Sequence, residues 1–530
     1  MSQNKRLVRG AHTTSREAKH SLKRAERAGI GAEGAVTDKA AARRAATTSL
    51  ARSGATKSSA TSGARTTESR GNSSRTSTSR SSASRSPRSG DKSAAKYGKA
   101  AAPKTPLMQQ RIEQIAEVLT TVLKFRFPAD AVLSHWFKEN RHLGVRDRGE
   151  IAEAVFDVLR HLRRYRHFAE SGMGPANQRL AILGLANTLG AQALTSVLDE
   201  HQQGWLAHAL SLDLSGMAPA IRYSMPDWLY EQLSALPESE ALMSSLNLKA
   251  PLDLRVNPLK VEREDILPVL EADESVAVFK PEAMPFSPWG IRLQGKPAIN
   301  RWDLFANGSL EVQDEGSQIL CMLVSPRRSD MVIDFCAGAG GKTLLLGAMM
   351  RSQGRLYAFD VAAARLAKAK PRIARSGLSN VTSVHIANEN DARVKRLAGK
   401  AQRVLVDAPC SGMGTLRRNP DLKWRQTPTD LTELTELQAR ILNSAARCVA
   451  PGGRLIYSTC SLLPQENEQQ IEAFLAAHEE FELVSVEQVL GDRNPGLVSE
   501  QGMLKLRPDT HQTDGFFAAV MERRKAAAEK

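Results

Sequence analysis

The chain has 530 residues, 42% of them apolar, which is enough for more than one domain with a buried core. Its five cysteines form no even-spaced framework, and no CxxC pair or Cys/His cluster has the spacing of a zinc site. Since apolar runs stay short of the roughly 20 residues that span a bilayer, we expect a cytoplasmic protein without a signal peptide, metal site or structural disulfide.

The net charge of +16 is distributed unevenly. Residues 1–100 hold 22 Lys and Arg against 6 Asp and Glu, whereas the other 430 residues hold 51 of each sign. Residues 1–104 are dominated by Ser, Thr, Ala, Gly and Arg, and this composition predicts disorder. Three interpretations of this tail stay open: an arm that binds phosphates without sequence preference, a solvated segment with no specific role, or an organelle transit peptide.

Apolar residues recur at helical spacing between residues 106 and 215, which predicts an all-helical domain. The third predicted helix ends in RHLRRYRH, where four arginines surround a tyrosine: Arg160, Arg163, Arg164, Arg166 and Tyr165. Basic residues at a helix C-terminus also suit the helix dipole. The motif is therefore compatible with a solvated face as well as with an RNA-binding patch.

Residues 220–315 predict a small α+β module, because short strand-like runs such as LDLRVN, GIRLQG and LEVQD alternate with one helix over 262–272. From residue 316 to 525 the pattern is that of an α/β domain. Predicted strands MVIDF, RLYAFD, VTSVHI, RVLVD and RLIYS alternate with helices over 343–351, 362–375, 429–448 and 465–478. This alternation predicts a doubly wound, mostly parallel sheet, to which MLKLR and GFFAAVM add an antiparallel edge strand.

A glycine-rich loop, in VIDFCAGAGGKT, lies between the first of these strands and the next helix. Gly338, Gly340 and Gly341 allow a tight turn and a close approach of a ligand to the helix N-terminus. A phosphate-binding P-loop would need glycine at position 336, which is cysteine, so that interpretation fails. Asp360 ends the second strand, where a carboxylate accepts hydrogen bonds from ribose hydroxyls. The loop therefore predicts a nucleoside-type cofactor.

Two cysteines follow strands that should be neighbours. Cys410 comes after RVLVD and Cys460 after RLIYS, and ligands of a doubly wound sheet bind outside the carboxyl ends of its strands. One cysteine at a strand end is usually a small buried apolar residue. Two that share the cofactor crevice favour a chemical role, whereas Cys321 and Cys448 are predicted to be core residues on helices.

The segments DAPCSGMGTLRRNPDLKW, YSTCSLLPQENEQQI, QDEGSQ and DGFFAAVM resemble the motifs of the RsmB-like (Sun-type) RNA cytosine-C5 methyltransferases. The resemblance covers about residues 106–523, and its most specific part is the pair of Pro-Cys and Thr-Cys motifs. It implies an S-adenosylmethionine-dependent, Rossmann-like domain, preceded by an RNA-recognition-like module and a NusB-like helical domain. RNA, ribosomal RNA above all, is the implied partner, and we expect a monomer.

The resemblance also implies roles for individual residues. The Thr-Cys thiol, Cys460, would attack carbon 6 of cytosine, and the Pro-Cys thiol, Cys410, would assist breakdown of the covalent adduct. Asp407 would hydrogen-bond the cytosine edge and border the methyl donor, and Asp360 would bind the ribose. The implied cofactor loop consists of Cys336, Ala337, Gly338, Ala339, Gly340, Gly341 and Lys342.

The chain departs from the family pattern at two places. The loop usually reads C-A-A-P-G-G-K, and Gly338-Ala339 in place of Ala-Pro makes it less rigid. The acidic residue after the third strand falls on Glu389, which is expected near the adenine. These departures keep a second function open, an RNA-binding ribosome-assembly factor without catalysis. A dithiol redox protein is disfavoured, because 50 residues separate the two cysteines.

Three basic residues lie in the segment that follows Cys410. Arg417, Arg418 and Lys423 are predicted to hold the phosphates that flank a flipped-out base. The alternative is a structural loop in which these side chains form salt bridges.

Overall fold

The computed structural model describes residues 106–498 and 500–525, so the tail predicted over 1–104 lies outside the described residues. Residues 107–211 form the helical domain. Its core consists of side chains at helical spacing, such as Ile115 and Leu119, which are fully buried. The helices are α1 Leu107–Val122, α2 Ala129–Glu139, α3 Val145–Arg160, α4 Leu162–Ala169, α5 Ala176–Leu189 and α6 Glu200–Ser211, with a 3-10 turn at Ala191–Leu194.

Three short helices that the sequence pattern did not predict join the helical domain to the first strand: α7 Pro219–Arg222, α8 Asp227–Ser234 and α9 Ser239–Leu246. Each is too short to be stable from local propensity alone. Their apolar side chains, including Leu233 and Leu246, are buried against Met413, Leu416 and Leu463 of the α/β domain. Tertiary packing against the segments that follow the two predicted catalytic cysteines therefore accounts for these helices.

The small α+β module consists of seven elements: β1 Leu252–Val256, α10 Arg263–Ala272, α11 Glu274–Ala277, β2 Glu282–Ala283, β3 Gly290–Leu293, α12 Asp303–Ala306 and β4 Leu310–Val312, with a 3-10 turn at Ile299–Arg301. Its strands form an antiparallel sheet in the order β2-β3-β1-β4. Helix α10 covers this sheet and lies close to the predicted range 262–272.

The α/β domain is built on one sheet of eight strands: β5 Met331–Asp334, β6 Arg355–Asp360, β7 Val381–His385, β8 Ala401–Asp407, β9 Val449–Thr459, β10 Phe481–Val484, β11 Leu504–Leu506 and β12 Phe516–Arg523. Their order in the sheet is β10-β12-β9-β8-β5-β6-β7, with β11 paired to β12. Strands β5 to β9 are parallel, which confirms the doubly wound fold.

The antiparallel edge predicted from the last two strands differs in one respect. The predicted antiparallel pairing of β11 with β12 is confirmed, but β12 also pairs with β9 and β10, so β12 lies inside the sheet and β10 and β11 share its edge. The four-residue strand β10 escaped prediction because FELV is too short to show a clear period of two.

Helices cover both faces of this sheet: α13 Glu315–Val324, α14 Gly341–Met349, α15 Ala363–Ser376, α16 Ala392–Lys395, α17 Leu422–Arg425, α18 Pro428–Ala446, α19 Glu468–Ala477, α20 Val486–Leu490 and α21 Pro508–His511, with 3-10 turns at Met413–Thr415, Pro464–Glu466 and Gly491–Arg493. Cys321 is buried on α13, as predicted. Cys448 is buried as well, but the helix prediction for it is wrong, because α18 ends at Ala446 and Cys448 lies in the turn before β9.

The carboxyl ends of the parallel strands meet at one edge of the sheet. Asp334, Asp360 and Asp407 are the last residues of β5, β6 and β8, and Thr459 is the last residue of β9. Side chains from four strands therefore surround one crevice. Within residues 106–498 and 500–525, every helix is too short or too polar to cross a membrane.

Candidate active site

The two cysteines after β8 and β9 are direct neighbours. Strands β8 and β9 are paired in parallel with Asp407 in register with Ser458, so the two strands end at the same height of the sheet. The Sγ atoms of Cys410 and Cys460 lie 3.4 Å apart, and the backbone N–H of Cys460 donates a hydrogen bond to Cys410 Sγ at 3.3 Å. Cys460 is buried and Cys410 is half-buried. One reactant in the crevice can thus meet both thiols.

A buried carboxylate, Glu466, connects the two cysteine loops. It accepts hydrogen bonds from the backbone N–H and the hydroxyl of Ser411 and from the side-chain amide of Gln438. The Ser411 hydroxyl lies 3.2 Å from that of Ser461, which follows Cys460. This network fixes the separation of the thiols. Sequence reasoning assigned Glu466 no role, although it belongs to the segment YSTCSLLPQE that carries the family resemblance.

Asp407 forms an ion pair with the cofactor loop. Its Oδ2 atom lies 2.9 Å from Nζ of Lys342, and the Lys342 side chain is only 8% exposed. Lys342 Nζ also lies 5.7 Å from the centre of the Phe516 ring. The lysine that would bind a phosphate in a P-loop is therefore engaged by a carboxylate, which agrees with the failure of the P-loop interpretation.

The glycine-rich loop turns sharply between β5 and α14. Gly338 has a φ of +58° and Gly340 a φ of +83°, a left-handed conformation that glycine adopts without strain. Ala337 closes the turn by accepting a hydrogen bond from the Gly340 N–H. Helix α14 begins at Gly341, directly after this turn, and the free N–H groups at a helix N-terminus favour polar ligand groups.

Two arginines hold the carbonyl groups of this loop. Arg372 of α15 donates to the carbonyl oxygen of Ala339 at 2.7 Å, and Arg255 of β1 donates to that of Gly341 at 3.2 Å. Arg255 is 1% exposed, so this contact between the small module and the loop is buried. These contacts restrain a loop that lacks the proline of the usual family pattern.

Asp360 is bound to the same loop. Its carboxylate accepts hydrogen bonds from the N–H groups of Gly338 at 2.8 Å and Ala362 at 2.7 Å, and from Arg365 at 3.0 Å. A carboxylate has about four lone-pair sites, so these three contacts leave about one acceptor site, and its use by a ribose hydroxyl stays a prediction. This donor and acceptor set fits the nucleoside part of S-adenosylmethionine.

Two further acidic residues border the crevice. Asp334 accepts a hydrogen bond from the Thr343 hydroxyl at 2.6 Å, and burial raises its pKa to about 7. Glu389, in the loop after β7, has its carboxylate 3.7 Å from Arg440 and accepts a hydrogen bond from Ser444 at its carbonyl oxygen. The expected contact of Glu389 with the adenine stays a prediction.

The predicted RNA contacts of Arg417 and Arg418 are not supported by their positions. Arg417 is 6% exposed and donates to the carbonyl oxygen of Gln512. Arg418 contacts three carboxylates, Asp514 at 2.7 Å, Asp314 at 2.9 Å and Asp253 at 3.3 Å. The salt-bridged structural loop is the correct interpretation, because acidic residues from three distant segments converge on these guanidinium groups.

Lys423 is likewise an internal residue. It is 1% exposed and donates to the carbonyl oxygen of Arg160 and the side-chain oxygen of Asn247. Burial lowers its pKa well below the usual range. Arg160, from the predicted basic motif, is itself buried and donates to the carbonyl oxygen of Arg417. The segment after Cys410 thus packs against the helical domain. The prediction that Lys423 contacts RNA is wrong, because its side chain is bonded inside the protein.

Comparisons with known proteins identify the family. Residues 321–522 match the family described as 16S rRNA methyltransferase RsmB/F, and residues 225–300 match the RsmF/B-like ferredoxin-like domain. The probable ribosomal RNA small subunit methyltransferase B of Synechocystis is 38% identical over 59% of this chain and 70% of its own length. The probable ribosomal RNA small subunit methyltransferase B of Bacillus subtilis is 33% identical over 58% of this chain and 68% of its own.

Solved structures support the fold. The crystal structure of PH0851 superposes with a TM-score of 0.62 at 25% identity, covering 78% of this chain and 98% of that one. NSun6 from Pyrococcus horikoshii with SFG has a TM-score of 0.50 at 20% identity, covering 57% of this chain and 99% of its own, which shows the fold alone. The chain belongs to the RsmB/F family of S-adenosylmethionine-dependent rRNA methyltransferases.

Proposed function

We propose that this chain methylates carbon 5 of a cytosine in small-subunit rRNA through a covalent adduct on Cys460. The observation that carries the proposal is the pair of thiols 3.4 Å apart beside Asp407. Carbon 5 of cytosine is a weak nucleophile. Addition of the Cys460 thiolate to carbon 6 makes carbon 5 part of an enamine, which is nucleophilic enough to accept a methyl group. S-adenosylmethionine, when bound, supplies that methyl group from its sulfonium centre.

Cys410 is suited to the second half of the reaction. The N–H of Cys460 points at Cys410 Sγ, and a hydrogen bond of this kind favours negative charge on the acceptor. A Cys410 thiolate can take the proton from carbon 5. The electron pair of that C–H bond then restores the ring double bond, and the bond between carbon 6 and Cys460 breaks, which frees the thiolate and the methylated base.

Asp407 can select the base. Its carboxylate forms an ion pair with Lys342, and a carboxylate accepts a hydrogen bond from the amino group of cytosine. Uracil presents a carbonyl oxygen at that position and would be repelled.

Bisulfite sequencing of small-subunit rRNA from cells with and without the gene tests the proposal. We expect a cytosine that resists conversion only when the gene is present. If the full-length chain binds S-adenosylmethionine and small-subunit rRNA but transfers the methyl group to another atom, the proposal is wrong. If it binds rRNA and no S-adenosylmethionine, the assembly-factor function is favoured instead.

Replacing Asp360 with alanine tests the cofactor site. Loss of a charge-assisted hydrogen bond to the ribose should weaken S-adenosylmethionine binding by about 1.5–3 kcal/mol, or roughly 10- to 150-fold, as measured by calorimetry. Asp360 also anchors Gly338, so Arg365→Ala, which removes a partner of Asp360 but leaves its N–H contacts, is the control and should bind nearly as the parent does. Unchanged affinity in a folded Asp360→Ala variant would remove Asp360 from the site.

A further inference from the structure

Positive charge within the described domains is concentrated at one end of the α/β sheet. Residues 361–400, here called the β7 edge, hold nine Lys and Arg against two acidic residues. The rest of residues 101–530 holds 42 basic and 49 acidic residues, a net charge of −7. The local excess of +7 is therefore opposite in sign to its surroundings.

The β7 edge wraps around the end strand of the sheet. Helix α15 leads from β6 to β7 and packs beside α14 on one face, with Ala369 against Gly340 of the cofactor loop. Helix α16 follows β7 on the other face, where Val394 packs in the same apolar cluster as Ile441 of α18. Cations of both helices thus flank the same strand.

Carboxylates cancel part of this charge. Arg365 pairs with Asp360, and Arg372 and Arg375 pair with Glu311, which lies outside the segment.

The acidic residues of the segment itself cancel little more of its charge at the surface. Asp391 is bound by Arg393 at 2.6 Å and by the N–H of Ala387 at 2.9 Å. Glu389 lies against Arg440, which comes from outside the segment. The basic side chains that are exposed at the surface are Lys368, Lys370, Arg393, Lys395, Arg396 and Lys400.

The β7 edge begins at the rim of the crevice. Asp360, beside the cofactor loop, is in register with His385, the exposed last residue of β7. We propose that the β7 edge binds the phosphate backbone of the rRNA substrate where it approaches the methyl-donor side of the crevice. This inference rests on the proposed function for its substrate. Phosphate contacts of this kind position a nucleic acid without reading its sequence.

Charge reversal in the full-length chain tests the proposal. The β7-edge variant combines Lys370→Glu, Lys395→Glu and Arg396→Glu. The control variant combines Lys138→Glu, Arg141→Glu and Arg146→Glu, which changes the charge equally at exposed positions of the helical domain. Binding of an unmethylated small-subunit rRNA transcript is measured over a range of salt concentrations, with calorimetry of S-adenosylmethionine as a check on the fold of the crevice.

We expect the β7-edge variant to bind the transcript at least about tenfold more weakly at 0.1 M salt. The slope of log K against log salt concentration should be smaller in magnitude by about two to three. The control should change much less, and the cofactor affinity of both should stay as in the parent. Equal effects of the two variants, or no effect of the first, would overturn the proposal. Because binding needs no turnover, a parent protein that binds rRNA but fails to methylate cytosine would contradict the proposed function and leave this comparison valid.

Discussion

Replacing Cys460 with alanine should lower the rate of methyl transfer by about 10⁴-fold or more, as removal of a covalent nucleophile does in other enzymes. RNA binding should change little, because Cys460 is buried in the unreacted protein and its small side chain offers little surface to RNA. Methyl transfer from labelled S-adenosylmethionine to a small-subunit rRNA transcript measures the rate, and filter binding measures the affinity for RNA.

Replacing Cys410 with alanine should have a different consequence. The adduct on Cys460 can still form, but its breakdown slows, so protein covalently bound to RNA should accumulate. A denaturing gel separates the two variants, because only a covalent complex survives it. Cys448→Ala is the matched control, since this thiol is buried and contacts the carbonyl oxygen of Val394 away from the crevice; it should form no trapped band and keep its activity.

Three outcomes would contradict this assignment. A trapped band with Cys460→Ala and none with Cys410→Ala would reverse the two roles. Full activity in both variants would show that the thiols only pack the crevice. Loss of activity in both, without a trapped band in either, would mean that Cys410 is needed for formation of the adduct rather than for its breakdown.

The sequence predicted those site residues whose position follows from the local pattern of strands and turns. RVLVD and RLIYS are short buried runs that end in the two cysteine motifs, and parallel pairing of β8 with β9 brings Cys410 and Cys460 together. The same holds for the glycine loop and Asp360, since both follow directly from strand ends. Periodicity and turn chemistry are local properties, and they fix which residues reach the carboxyl edge of a sheet.

Prediction failed where contacts depend on distant segments. Lys423 looks like a surface lysine in sequence, yet it is buried because Arg160 and Asn247, from two other parts of the chain, supply acceptors for it. Arg418 likewise forms ion pairs with Asp314 and Asp514, which are distant from it in the sequence. A basic residue beside a catalytic motif can bind RNA or tie domains together, and only the fold shows which carboxylates lie within reach.

Replacing Arg418 with alanine should be among the most destabilising substitutions in the α/β domain. Its side chain, 21% exposed, bridges Asp253 of the small module, Asp314 before α13 and Asp514 before β12. Removing one partner of a buried ionic network costs about 3–5 kcal/mol, because the remaining charges stay buried without compensation. Arg454→Ala is the matched control, since Arg454 is also 21% exposed but, among the residues that the structure describes, forms an ion pair with Glu522 alone, and it should cost about 0–1 kcal/mol.

The loss of folding stability caused by Arg418→Ala should depend on pH. In the parent protein, burial and then the charge of Asp314 raise the pKa of Asp253 to about 6, whereas Arg418, against the effect of burial, holds the pKa of Asp314 below its usual value. Without Arg418 the pKa values of both carboxyls in the folded state should lie above those of the unfolded chain, so the folded state of the variant binds protons more tightly than its unfolded state. Stability of the variant should then increase as the pH falls through those raised values. Urea titrations of both variants and the parent at pH 8 and pH 5 measure this, and a deficit that is equal or larger at pH 5 would show that Arg418 stabilises the fold through packing rather than through its charge.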